Sequence, residues 1–253
     1  MPNIEEVDAM PRRALHIFYV LDTSGSMVNQ PIAALNRAME ETVDALKDVA
    51  KKNGDAQLKI SVLEFNTDCR WMQPKGPEDV EDFYWKELSA EGMTYIGKAL
   101  TELDSKLSRN EFLRSITGSY LPVIIFMTDG YANDEYKGPL ERIRNNNWYA
   151  RSTKIGFAIG DSPDEDMIAE IVGEREAVIR TNDLSAFAHL IKMASVTSSM
   201  MASKSRTSEQ SFSGVDIVRD IAVAETSSGQ GSFESATPAG LVDLDAWGDV
   251  GEW

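Results

Sequence analysis

The sequence is poor in the residues on which many familiar sites depend. Its 253 residues include one cysteine, Cys69. An intrachain disulfide is therefore excluded, and a thiolate zinc site lacks ligands. A lone thiol fits a reducing compartment, and a buried, inert sulfhydryl is expected for it. Histidine is nearly as scarce, with only His16 and His189. A serine hydrolase would need a histidine beside a nucleophile held in a Gly-x-Ser-x-Gly elbow. Neither Ser24 nor Ser26 has those flanking glycines. No glycine-rich phosphate loop of either common type is present, which removes the usual sequence support for nucleotide binding.

Positive charge is also short, at 25 Lys and Arg against 41 Asp and Glu, a net −16. Nucleic-acid binders need a basic stripe, so none is expected to bind here. Long apolar runs are missing. The stretch 121–127 is among the longest, far below the roughly 20 residues that span a bilayer. The N-terminal residues do not pair a basic segment with an apolar run, so no signal peptide is read there. A cytoplasmic protein without membrane or nucleic-acid contacts is the expectation.

What is present is an alternation of strands and helices. Residues 14–21 and 122–127 are near-continuous apolar runs, the pattern of strands buried on both faces. Residues 58–65 alternate, and 154–159 and 177–180 read as further strands, the last at an edge. Residues 31–51 place Ile32, Leu35, Met39, Val43, Leu46 and Val49 at helical spacing, with Pro31 in a tolerated first turn. Helices are also predicted over 95–107, 139–147, 164–172 and 184–201, the last with Phe187, Leu190, Ile191 and Ala194 as its stripe. Residues 71–89 are irregular, with a helix expected over 78–85. Such an order implies a mainly parallel sheet covered by helices on both faces, with ligands at the carboxyl edge of the strands. From about residue 203 serine and glycine dominate, and residues 203–253 read as a flexible acidic tail. Within it, 215–223 is apolar enough for a transient helix or strand. The last stretch, 241–253, interleaves acidic and apolar residues and reads as either a disordered end or a docking peptide.

Asp22-Thr23-Ser24-Gly25-Ser26 directly follows the first strand. A carboxylate and two hydroxyls at alternate positions can converge in one tight loop, which Gly25 allows to turn. Thr94 precedes a helix, and Asp129 follows the most apolar strand. Each alone has an ordinary explanation as a helix cap or a turn residue. Together, on loops that the fold brings to one edge, they form a set of hard oxygen donors suited to Mg²⁺. Two carboxylates leave such an ion incompletely neutralised and able to accept an acidic side chain. Asn133, Asp134 and Glu135 lie just beyond Asp129 and read as turn residues, with a rim role or a second cation as the alternative.

These residues resemble the metal-ion-dependent adhesion site of the von Willebrand factor A superfamily, over roughly residues 12–202. The resemblance implies a Rossmann-like three-layer α/β fold. It also implies direct ligation by Ser24, Ser26 and Thr94, with Asp22 and Asp129 acting largely through water. Mg²⁺ is the implied ion, with Mn²⁺ or Ca²⁺ as alternatives. The family's usual Gly-Gly-Thr turn is Gly92-Met93-Thr94 here. Residues 21–27, 30–32 and 128–134 are similar to bacterial tellurium-resistance proteins of this type. That implies a stress-response adaptor associated with a protein kinase and a PP2C-type phosphatase, and a protein partner that supplies an Asp or Glu. Two other readings were open: a metal-dependent phosphoester hydrolase, weakened because the needed second Asp is Ser24, and an adaptor with a vestigial metal site.

Overall fold

A computed structural model of the chain describes residues 12–160, 162–204 and 213–228. Its centre is a sheet of β1 (Arg13–Asp22), β2 (Ala56–Phe65), β3 (Cys69–Trp71), β4 (Glu78–Asp79), β5 (Val123–Thr128), β6 (Thr153–Ile159) and β7 (Val178–Thr181). The order is β3-β2-β1-β5-β6-β7, with β4 paired to β2 beside β3. The β1–β2, β1–β5, β5–β6 and β6–β7 pairs are parallel, while β3 and β4 run antiparallel to β2. Every residue of β5 is buried, as its unbroken apolar run requires.

Helices cover both faces. On one lie α1 (Gln30–Lys52) and α6 (Leu184–Lys204), packed on each other and on Leu15, Ile17, Tyr19 and Leu21. The other carries α2 (Ile96–Lys106), α3 (Lys137–Arg144), the short α4 (Asn147–Ala150) and α5 (Glu165–Val172), seated on Phe18, Val20, Ile124 and Phe126. Alternate residues of β1 and β5 thus feed two separate cores, the direct result of side chains alternating across a strand. The predicted stripe of α6 is buried throughout: Phe187, Leu190, Ile191 and Ala194. Asp164 caps α5 through Met167 N, and Gly173 ends it with φ +93°.

Two segments differ from the sequence reading. The helix expected over 78–85 does not form. Glu78 and Asp79 pair with β2 instead, Lys59 holds Asp79 at 2.8 Å, and Val80 and Phe83 insert into the core. Edge pairing and burial of two apolar anchors outweigh weak helical propensity. Residues 215–223, expected as a transient helix or strand within a flexible tail, are helical and packed. They belong to α7 (Gly214–Ser228), which buries Ile217 and Ile221 against α6 and approaches β6. A Cβ on Gly214 would sit 2.0 Å from the Lys154 carbonyl oxygen, so only glycine allows that approach. The acidic–apolar stretch 241–253 lies outside the described residues.

Candidate metal centre

Three loops meet at the carboxyl edge of β1, β2 and β5. Asp22 and Thr128 end β1 and β5, one position past the paired Leu21 and Met127. The loop after β1 is fastened to the 89–95 segment by Glu91 N to Thr23 O (2.8 Å) and Gly25 N to Gly92 O (2.9 Å). A Cβ on Gly25 would lie 3.1 Å from that same carbonyl oxygen, tighter than an ordinary contact, so glycine eases this approach. The loop after β2 holds the other side, with Tyr95 N donating to Asn66 O and Met93 N to the Thr67 hydroxyl. Gly92 turns the chain with φ +77°, the left-handed region glycine favours.

The five predicted residues come together. Asp22 is fully buried and accepts from Ser24 N (2.8 Å) and from the Thr128 hydroxyl (2.5 Å). The Ser24 and Ser26 hydroxyls are 3.0 Å apart, and Ser26 donates to Asp129 Oδ1 at 2.7 Å. Thr94 faces the same space: a point one bond off the Gly130 Cα lies 3.6 Å from Ser26 Oγ and 3.8 Å from Thr94 Oγ1. A side chain at residue 130 would occupy that space.

Two further residues brace the site, and the sequence reading singles out only one of them. Thr128 bonds Asp22 and accepts from Gly130 N, which sets the turn that presents Asp129. Asn133, which reads as a turn residue with a rim role as the alternative, accepts through its side chain from Thr94 N, and its backbone N–H donates to Thr94 O, both at 2.9 Å. A threonine at a strand end and an asparagine after Asp-Gly carry no distinctive local signal. Asp134 accepts from Gly97 N and Lys98 N at the start of α2, and Glu135 from Gly138 N. Their carboxylates thus act as helix-start caps.

The electrostatics favour a cation. Burial pushes the Asp22 carboxyl up to about 6, with its hydrogen bonds from Thr128 and Ser24 opposing the shift and Asp129 adding to it. Burial also raises Asp129, against its bond from Ser26. Two carboxylates held near each other in a low-dielectric crevice are costly as anions, and positive charge between them relieves that cost. Among the described residues no three His, Cys, Asp or Glu side chains form a metal-binding group. A metal here would therefore depend on hydroxyl oxygens. Three hydroxyls and two carboxylates are all hard donors and fit Mg²⁺, which keeps part of its hydration shell.

A mainly parallel, doubly covered sheet with an oxygen-lined crevice at its carboxyl edge defines a doubly wound α/β domain, and the crevice lies where such folds place ligands. Within that class, the von Willebrand factor type A domain model matches residues 16–193, and the chain belongs to that family. The fold is shared with a von Willebrand factor type A protein from Catenulispora acidiphila (16% identity, TM-score 0.56, 74% of this chain and 42% of that one). It is shared with proximal thread matrix protein 1 from the mussel byssus (20%, 0.53, 72% and 47%). The pilus adhesin SpaC from Lactobacillus rhamnosus GG in its open conformation is a third case (11%, 0.56, 72% and 30%). The chain spans less than half the length of each. No curated protein sequence matches it. Among the described residues no helix is long and apolar enough to cross a membrane.

Proposed function

We propose that this domain is a divalent-metal-dependent protein-binding module, with Mg²⁺ as the working ion, rather than an enzyme. The observation that carries the reading is the meeting of Ser24, Ser26, Thr94, Asp22 and Asp129 in one crevice with only two carboxylates among them. Ser24, Ser26 and Thr94 would hold the ion directly, and Asp22 and Asp129 through water. The bound ion supplies an electrophilic point for a carboxylate that the domain itself does not provide. Ser26 is exposed and Asp129 half-buried, so the donors open outward to a macromolecular surface.

The chemistry of hydrolysis finds no support in the surroundings. His16 is buried and hydrogen-bonds Ser119 on the α2 face of β1, six residues before Asp22. Position 24, where a phosphatase of the aspartate type needs its acid–base carboxylate, is a serine. The likeness of residues 21–27 and 128–134 to tellurium-resistance proteins supports a cytoplasmic adaptor in a stress response. Its partner supplies an Asp or Glu, within a system that also contains a protein kinase and a PP2C-type phosphatase.

The test is thermal unfolding with and without Mg²⁺. At a free ion concentration of about 100 times Kd the gain is about 2.7 kcal/mol, or roughly 5–10 °C for a domain of this size. Thr94→Ala and Ser24→Ala should abolish the gain. An unchanged Tm across Mg²⁺, Mn²⁺ and Ca²⁺ would refute metal dependence. Phosphate-ester turnover lost in Asp22→Ala would favour the enzyme.

A further inference from the structure

The two edges of the sheet differ in charge. At the carboxyl edge, the segments 22–29, 66–68, 89–95 and 128–136 hold six Asp and Glu and no Lys or Arg. The amino edge gathers the start of β1, the end of α1 and the segment between α2 and β5. There, residues 12–13, 51–55 and 104–120 hold seven Lys and Arg against Asp55, Asp104 and Glu111. The net −16 of the chain, from which no membrane contact is expected, hides this local reversal. The ten residues of β1 hold the two edges apart by about 30 Å.

Hydrogen bonds draw the amino-edge pieces into one patch. Arg12 Nη1 donates to the carbonyl oxygen of Asn53, the residue after Lys52, at 2.7 Å. Arg12 O accepts from the Thr117 hydroxyl, also at 2.7 Å. Ala14 N donates to Gly118 O, and Tyr120 N to Ala14 O, so the turn before β5 is fastened to β1. Lys51 pairs with Asp48, and Lys106 with Glu111. Arg12, Lys52 and Arg114 are exposed and meet no carboxylate among the described residues.

Ile116 crowns this patch. The Ser115 and Thr117 hydroxyls on either side of it lie 3.1 Å apart, and Ile116 itself is fully exposed. A single exposed aliphatic side chain needs no explanation. One held outward by a bonded turn, beside unpaired guanidinium and ammonium groups, fits a surface that offers anions and an apolar layer together. Ile116 lines no groove, so whatever covers it must yield around it, as lipid does. A nucleic acid would offer phosphates without the apolar layer.

We propose that the amino edge of the sheet is a docking face for an anionic lipid bilayer. Ile116 enters the boundary between headgroups and acyl chains, and Arg12, Lys52 and Arg114 take the lipid phosphates. The carboxyl edge then faces away from the bilayer, which leaves its crevice open to a partner. No residue is shared with the metal reading, and the inference does not depend on it.

The experiment sediments the full chain with vesicles of phosphatidylcholine alone or mixed with phosphatidylserine. EDTA is present, so that no divalent ion bridges the crevice to a headgroup. Binding should be confined to the anionic vesicles and should weaken as salt rises. Each cation near such a surface contributes about fivefold in affinity, so the R12Q/K52Q/R114Q variant should lose roughly 100-fold. Ile116→Ser should lose about tenfold or more, whereas Tyr131→Ser, at the carboxyl edge, should lose nothing. Ile116→Trp gives a signal that misfolding cannot imitate: its added fluorescence should be quenched by brominated acyl chains. No binding to anionic vesicles, equal binding to neutral ones, or an unquenched Ile116→Trp would overturn the proposal. Binding to soluble polyglutamate or DNA that R12Q/K52Q/R114Q abolishes, with no vesicle binding, would assign the edge to an acidic macromolecule instead.

Discussion

Asp22 and Thr128 meet across the β1–β5 pair, where the Thr128 hydroxyl donates to one oxygen of a carboxylate that is fully withdrawn from solvent. The other Asp22 oxygen accepts from Ser24 N at 2.8 Å. This one side chain therefore ties the last residue of β5 to the loop that carries both serines. Thr128→Val keeps the shape and removes the donor. It should cost about 1–3 kcal/mol of stability and weaken Mg²⁺ binding, because the carboxyl rises further and the Ser24 loop loses its anchor. Urea unfolding and calorimetric Mg²⁺ titration measure the two effects; unchanged values in both would remove Thr128 from the site.

Asn133 binds both the N–H and the carbonyl oxygen of Thr94. Asn133→Ala should lower Mg²⁺ affinity severalfold while Tm without the ion falls by only a few degrees. A large Tm loss with unchanged affinity would make Asn133 a packing residue.

His16 gives a pH signature. Burial, with Lys59 adding to it, lowers its pKa from 6.5 to about 3. The unfolded chain thus binds a proton below pH 6.5 that the folded chain refuses until about pH 3. Stability attributable to His16 is complete above pH 6.5 and is lost as pH falls, by about 2 kcal/mol between pH 7 and pH 5. Asp22 runs the other way. Raised from 3.8 to about 6, it takes up a proton in the folded state first, so its contribution falls as pH rises through that window. At saturating Mg²⁺, His16→Gln should flatten the acid limb of stability against pH. An unaltered limb would contradict the assignment.

The helix α7 is an integral part of the packed structure. Ile217 and Ile221 are fully buried, and replacing either with alanine should cost about 2–5 kcal/mol. The proposed Mg²⁺-dependent gain in Tm should persist, because the residues α7 approaches, Lys154 and Ala177, are not on the edge that carries the candidate metal centre.

Cys69 is half-buried, and burial pushes its thiol up to about 12. Alkylation by iodoacetamide at pH 8 should be far slower than for a free thiol. Rapid labelling would show that the 66–71 hairpin opens.

Part of this molecule was legible in the order of residues because its signals are local. The runs at 14–21 and 122–127 could be read as buried strands, since a strand covered on both faces has no polar side to display. Residues 31–51 and 184–201 could be read as helices from a 3.6-residue stripe. Asp22, Ser24 and Ser26 were visible together because one loop carries them. Residues 78–85 misled because the reason they extend is a partner strand far away in the chain. Residues 215–223 looked marginal because α7 owes its stability to Ile217 and Ile221 finding the core, not to propensity.

The sequence by itself determined the alternation of strands and helices, the scarcity of thiols and imidazoles, and the oxygen-rich character of the five site residues. Only the tertiary structure decided that Thr94 and Ser26 both face Gly130, and that Thr128 and Asn133 brace the site. The reason is physical. Periodicity and turn chemistry act within a few residues, whereas strand register and loop closure are fixed by packing between distant segments (the Thr94–Asn133 bond spans 39 residues and the Thr128–Asp22 bond 106).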